Sequence, residues 1–362
     1  MNQLTHRFSH VHSDVLFPLK IKPPTGVPSV YVQADMLDGE FTRILHGLPE
    51  NSVANFSPSI IKHNDKRLIA WRSQPEPFGF RYDMKYFYLN NKPTEIYIGE
   101  LIDDTTIIGS KKLRTNPHRL SYEDPRLFSG SNNDLYVQFV ASTYASKYDS
   151  NKNNLFFQPK VVVCLINENA EAVSAVIPPI GQNRIADKTE KNWCFYCEEG
   201  ELRCLYSTRP LIIERENGPK IEIDSSALDA VTKGCPTFNS TAPLDLGDSY
   251  LIFYHWKHMA YEPSGNTYLL YYLSAYLLNK TTQKISHIVK EPLFTGSLED
   301  GLIKWTDAVG SAVSKQPALV LPFGAILEGD MLSLSAGVND SFMGILKTSI
   351  NNILKLCKPV TI

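Results

Sequence analysis

The sequence predicts an all-β protein, a five-bladed β-propeller with an N-terminal extended arm. Two observations carry that prediction: a turn-and-strand unit that occurs five times, and a polar or proline-bearing motif ahead of each one. In every unit a turn holding Asn, Asp or Gly leads into a run of alternating or β-rich apolar residues, as a strand does after a hairpin turn. The units are Lys66–Arg72, Asp134–Val140, Gly200–Tyr206, Asp248–His255 and Gly329–Ser335. Their leucines, at 68, 135, 202, 251 and 332, stand 67, 67, 49 and 81 residues apart, close to one four-stranded blade with its loops. The motifs ahead of them are Ser57-Pro58-Ser59, Glu123-Asp124-Pro125-Arg126, Lys191-Asn192-Trp193, Ser240-Thr241-Ala242-Pro243 and Pro317.

The first strand of a propeller blade runs beside the central axis. With the leucine-bearing runs taken as those strands, Arg72 ends the inner strand of the first blade and the five motifs converge on one central polar pocket. Lys160–Ile166 and Tyr268–Tyr272 then belong to the outer parts of blades, and Ser349–Leu356 is a closing helix or a final strand. Residues 1–50, with three prolines between Phe17 and Val27, read as an arm packing across the propeller or onto a partner subunit of a homo-oligomer. Residues 51–362 make up the propeller.

Composition narrows the function. There are 36 basic and 38 acidic residues, for a net charge of -2, and no Lys/Arg-rich block, which argues against nucleic acid and anionic membranes as partners. No stretch approaches the ~18 apolar residues of a membrane span. Met1–Val15 lacks the pattern of a secretory signal, and the six cysteines are sparse, so a cytoplasmic chain with reduced thiols is expected. Cys194 and Cys197 have the spacing of half a zinc site, but no second pair follows and they read as core. His6, His10 and His12 could chelate a metal only within the arm. No glycine-rich phosphate loop or Gly-x-Ser-x-Gly elbow is present, and neither a metal nor a cofactor is expected.

Several motifs together resemble those of glycoside hydrolase family 130, the five-bladed hydrolases and phosphorylases of β-mannosides. These are Tyr122-Glu123-Asp124-Pro125-Arg126-Leu127-Phe128, Glu190-Lys191-Asn192-Trp193, Tyr254-His255 and Gly337-Val338-Asn339-Asp340, within roughly residues 52 to 347. The resemblance implies that Asp124 is the essential acid, donating a proton toward the glycosidic oxygen. It implies that Arg72 and Asp340 hold the sugar beside the cleaved bond. Ser57 stands where the family usually has an asparagine on that sugar. Lys191 and His255 are implied phosphate ligands, but the two assisting arginines of that family are missing: the interval offers only Arg126, within the motif itself, and Arg184. Phosphate recognition favours several fixed cationic donors, so a hydrolase or a transferase stands ahead of a phosphorylase.

The residues themselves carry the same chemistry. Inversion at a glycosidic bond needs one carboxylic acid and one base, roughly 6.5–9.5 Å apart. Asp124 alone would read as a turn before a strand; four other motifs at the same place favour the catalytic role. Strand alternation would send Glu123 to the opposite face, to pair with an arginine such as Arg126. The second carboxylate stays open between Glu123, Glu291 and Asp340. Lys191, Asn192 and Trp193 combine a cation, an amide and a ring suited to a sugar or an anion. His255 is either a ligand contact or a satisfied core imidazole. The expected partner is an oligosaccharide or an activated sugar donor, with phosphate as a further candidate. A glycosyltransferase on the same scaffold and a non-catalytic glycan-binding propeller are the alternatives.

Overall fold

A computed structural model describes residues 39–50, 52, 54–74, 94–115, 121–144, 157–176, 191–261, 267–293, 303–306, 313–316, 320–338 and 342–360. Its strands form five antiparallel blades around one axis. The first blade is β2 (Ala54–His63), β3 (Lys66–Gln74), β4 (Glu95–Leu101) and β5 (Ile107–Lys112), and the second is β6 (Ser121–Ser129), β7 (Leu135–Tyr144), β8 (Phe157–Ile166) and β9 (Ala172–Val176). The third is β10 (Cys194–Glu198), β11 (Glu201–Thr208), β12 (Leu211–Arg215) and β13 (Ile221–Ile223). The fourth holds β14 (Thr237–Asn239), β15 (Leu244–Asp245), β16 (Ser249–Tyr261), β17 (Thr267–Asn279) and β18 (Lys284–Val289). A short hairpin, β19 (Ile303–Thr306) with β20 (Val313–Gln316), precedes the fifth blade of β21 (Val320–Glu328), β22 (Met331–Val338) and β23 (Phe342–Ser349).

Segments early and late in the chain close the ring. The fourth strand of the fifth blade is β1 (Gly39–Arg43), antiparallel to β23, so the propeller takes in residues ahead of position 51. At the other end, helix α2 (Ile350–Leu356) follows β23, capped by the Ser349 hydroxyl, and leads into β24 (Cys357–Pro359) on the edge of the fourth blade. A helix of the same length, α1 (Ser226–Thr232), joins the third and fourth blades and buries Leu228 between them. Asp104 adds a polar clasp to the closure, binding Arg67 of the first blade at 2.8 Å and Lys347 of the fifth.

Five apolar clusters lie between consecutive blades, one at each interface. Strand alternation explains how one strand serves two of them. On β16, Leu251 and Phe253 face the fifth blade, whereas Tyr250, Ile252 and Tyr254 face the third. A strand buried on both faces is apolar throughout, and this is why the leucine-bearing runs stand out in the sequence. They form the second strand of each blade, not the first. Arg72 accordingly belongs to β3, and the innermost strands of the first two blades, β2 and β6, carry their polar motifs themselves.

At four of the five blade boundaries, buried polar side chains tie an inner strand to the neighbouring blade. Ser335 of β22 donates to the Pro58 carbonyl at 2.6 Å, Ser59 of β2 accepts from the Leu127 amide at 3.0 Å, and Asn239 of β14 donates to the Leu205 carbonyl at 3.0 Å. Gln138 of β7 accepts from the Phe195 amide at 2.9 Å and donates to the Trp193 carbonyl. Backbones also approach closely where the fifth blade meets the first. A Cβ on Gly337 would stand 2.7 Å from the Ser57 amide nitrogen, and one on Gly324 only 2.2 Å from that of Ile60.

Candidate functional site

The innermost strands of the first two blades share one irregularity. In β2, Ser57 and Pro58 together oppose Trp71, and in β6, Asp124 and Pro125 together oppose Phe139. Each is a two-against-one bulge, which twists a strand and re-aims its side chains. Proline suits the position, having no amide hydrogen for the ladder. Ser57 and Asp124 both adopt a φ of 52°, and Asn192, just before β10, one of 60°. Left-handed backbone at a residue other than glycine costs ~1–3 kcal/mol and clusters at functional sites. Three such residues at the same end of three neighbouring inner strands mark that end of the axis.

The bulge also cancels the alternation expected of Glu123 and Asp124. Glu123 pairs with Lys191 at 2.6 Å and with Arg72 at 3.8 Å, and its carboxylate is 13% exposed. Among the described residues it therefore pairs with Arg72 and Lys191 and not with Arg126. Asp124 accepts a hydrogen bond from the Ser57 hydroxyl at 3.3 Å and forms no ion pair among the described residues. Burial disfavours the Lys191 ammonium, but Glu123 and Asp124 outweigh it and raise its pKa. Lys191 is thus a fixed positive charge at neutral pH.

Beneath this layer lies a buried scaffold. The Arg126 guanidinium donates to the Asp124 carbonyl at 3.3 Å and reaches across to the Ser240 carbonyl of the fourth blade at 3.2 Å. It lies over the Phe323 ring at 4.9 Å, and Arg72 lies over Phe56 at 4.8 Å, a stacking that holds each planar cation in place. The Ser240 hydroxyl meets His255 Nδ1 at 2.9 Å. Burial first, then the neighbouring charges of Lys257 and Arg126, push the His255 pKa well below its ordinary value and keep the ring neutral.

One consequence can be measured. The folded-state pKa of His255 is depressed, so the unfolded chain takes up the proton first. Its contribution to stability is present above pH 6.5 and is lost as the pH falls below that value. The loss approaches ~1.4 kcal/mol per pH unit until the folded protein is protonated in turn. Urea denaturation of the parent and of His255→Gln between about pH 7.5 and 5 is expected to show the parent losing the steeper share. Parallel curves would show His255 not to be buried neutral.

Of the residues singled out in the sequence, Ser57, Arg72, Glu123, Asp124 and Lys191 are joined by direct contacts, and Arg126 and His255 connect from below through Ser240. Asn192 is half-buried in the segment before β10. Asp340, Arg184, Pro317 and the histidines at 6, 10 and 12 lie outside the described residues. Glu291 is exposed after β18, in the outer part of the fourth blade, and offers no second carboxylate at the axis. Cys194 is buried between the third and fourth blades and Cys197 is partly exposed; both are free thiols. Among the described residues, no group of three or more His, Cys, Asp or Glu could hold a metal, and no helix is long and apolar enough to cross a membrane.

Sequence reasoning missed Phe56, Phe323 and Gln138 as parts of the site. Gln138 had a signal: it is the only polar residue in the run Leu135–Val140 other than the Tyr136 hydroxyl, and its amide grips both sides of the segment that follows Lys191 and Asn192. The two phenylalanines look like any core residue until an arginine is seen lying on them.

No family model and no curated protein matches this sequence. Solved structures share its fold. One comes from glycoside hydrolase family 130, described as mannoside phosphorylases that include hydrolases of β-1,2-mannosidic linkages in Candida mannan. It is 12% identical, the match covers 91% of this chain and 98% of that one, and the TM-score is 0.54. Another is a mannose phosphorylase from Leishmania mexicana in complex with phosphate, 11% identical over 89% of this chain and 91% of that one, with a TM-score of 0.50. At these identities the likeness is one of fold.

Proposed function

We propose that this chain is a carbohydrate-active enzyme that cleaves or transfers a glycosyl unit, a β-mannoside or a closely related sugar, by an inverting mechanism with Asp124 as general acid. The observation that carries the reading is the division of labour between adjacent carboxylates. Glu123 neutralises Arg72 and Lys191, while the Asp124 carboxylate, among the described residues, is bonded to the Ser57 hydroxyl and is in no ion pair. In that role the carboxyl gives a proton to the glycosidic oxygen as the bond to the anomeric carbon breaks, while water or an acceptor hydroxyl bonds to that carbon from the opposite face and gives up its own proton to a base. Arg72, stacked and paired, is placed to hold sugar hydroxyls beside it. The shared fold with mannoside-active proteins supports the substrate class.

Hydrolysis or transfer is favoured over phosphorolysis. Lys191 is already bound to Glu123, and His255 is buried at 3% exposure, neutral and bonded to Ser240. Neither is free to meet a phosphate dianion as a cation. Incubation with a panel of β-mannosides, with and without phosphate, is expected to release free sugar with the inverted anomeric configuration at a rate indifferent to phosphate. Sugar 1-phosphate as the main product would overturn the preference, and elongated glycan from a nucleotide sugar would assign the chain to the transferases. A chain that binds mannosides and turns none over would be a binding propeller.

A further inference from the structure

The innermost strands have two ends, and the bulges occupy only one. Lys191 precedes β10 and Glu198 ends it, so at ~3.3 Å per residue the two stand roughly 20 Å apart along the axis. At the Glu198 end, between the third and fourth blades, lies a cavity of about 550 Å³. That volume is in the ordinary range of small-molecule sites, ~300–1,000 Å³.

The lining decides what could enter. Arg203 is bound to Glu198 and, at 3.2 Å, to Glu201. Lys280 is bound to Asp245 at 2.6 Å and lies 4.5 Å over the Tyr250 ring, whose hydroxyl donates to Glu198. Both cations are therefore already neutralised, and an anion would have to displace a carboxylate to reach either one. The carboxylates keep spare capacity, since each has about four acceptor positions. Gln283 lines the cavity with a neutral amide, and Tyr196, 7% exposed, lines it with its hydroxyl sealed in the wall. Thr281 adds a further neutral polar group at the exposed rim. Glu199 also lines the cavity, so its wall holds three carboxylates, Glu198, Glu199 and Asp245, against two cations; that surplus turns anions away and offers acceptors to a neutral ligand with many hydroxyls.

We propose that this cavity is a second binding site, remote from Asp124, and that it takes a neutral saccharide. The inference rests on the lining alone and stands apart from the chemistry proposed at the bulges.

Hydrogen exchange of the full chain, read peptide by peptide in saturating β-1,2-mannobiose and separately in glucose, tests it. Protection of peptides spanning residues 196–203 and 278–285 by at least one of the sugars is expected. Thr281→Trp, which fills the cavity from its rim, should abolish that protection while leaving turnover and any protection of residues 121–129 unchanged. Should that variant not fold, Lys280→Met disturbs the same wall and leaves only the solvent-facing Asp245 unpaired. The proposal fails if neither sugar protects these peptides, if protection survives in the variant, or if inorganic phosphate protects them and the sugars do not. Protection here with none at residues 121–129 would uphold the second site and count against the proposed function.

Discussion

Asp124→Asn is expected to lower kcat/KM on the best mannoside substrate by ~10²–10⁴-fold, the usual worth of a general acid, with no change in thermal stability. The two halves of this prediction have separate causes. Catalytically, an amide cannot deliver the proton. Structurally, Asp124 contributes little through its carboxylate, which accepts one 3.3 Å bond from Ser57, and asparagine tolerates left-handed backbone at least as well as aspartate. The Arg126 bond goes to the main-chain carbonyl and survives the change. A variant that keeps full activity on every substrate would remove Asp124 from the mechanism. One that unfolds would make it a structural residue instead.

Glu123→Gln should behave in the opposite way, destabilising first and impairing catalysis as a result. The substitution leaves Arg72, whose side chain is 10% exposed, without its counter-charge, and releases Lys191. Removing one member of a buried pair costs ~3–5 kcal/mol. Lys191 is 37% exposed and can turn to water, so a loss of about 2–4 kcal/mol in urea denaturation is expected here. Replacing Lys191 by methionine in the same chain should recover part of that loss, because one of the orphaned charges is then gone. A loss below ~0.5 kcal/mol, the level of an exposed pair, would show that Glu123 does not hold the site together and would reopen it as a catalytic base.

These two variants separate residues that the sequence presents as one motif. The repeat of five units was legible because strands buried on both faces are apolar along their whole length, and turns mark their ends. The punctuation ahead of the units was legible too, as Ser57-Pro58 and Asp124-Pro125, and it is now seen to be the bulge that shapes each inner strand. Which strand lines the axis was misread for the same physical reason: the innermost strand bears the polar and proline residues and is the less apolar of the pair.

The sequence by itself determined the blade count, the end of the chain where a closing helix could form, and the place of Asp124 at the head of the second blade. Local patterns suffice for these, because hydrophobic period and turn chemistry act over a few residues. The tertiary structure decided what lies across a blade boundary: that Glu123 answers Arg72 and Lys191, that Arg126 spans to Ser240, and that β1 closes the ring. Those contacts join residues 51, 68, 114 and about 300 positions apart. Strand alternation taken alone sent Glu123 and Asp124 to opposite faces. Only the left-handed turn of the bulge, held between neighbouring blades, brings the two carboxylates to the same site with different partners.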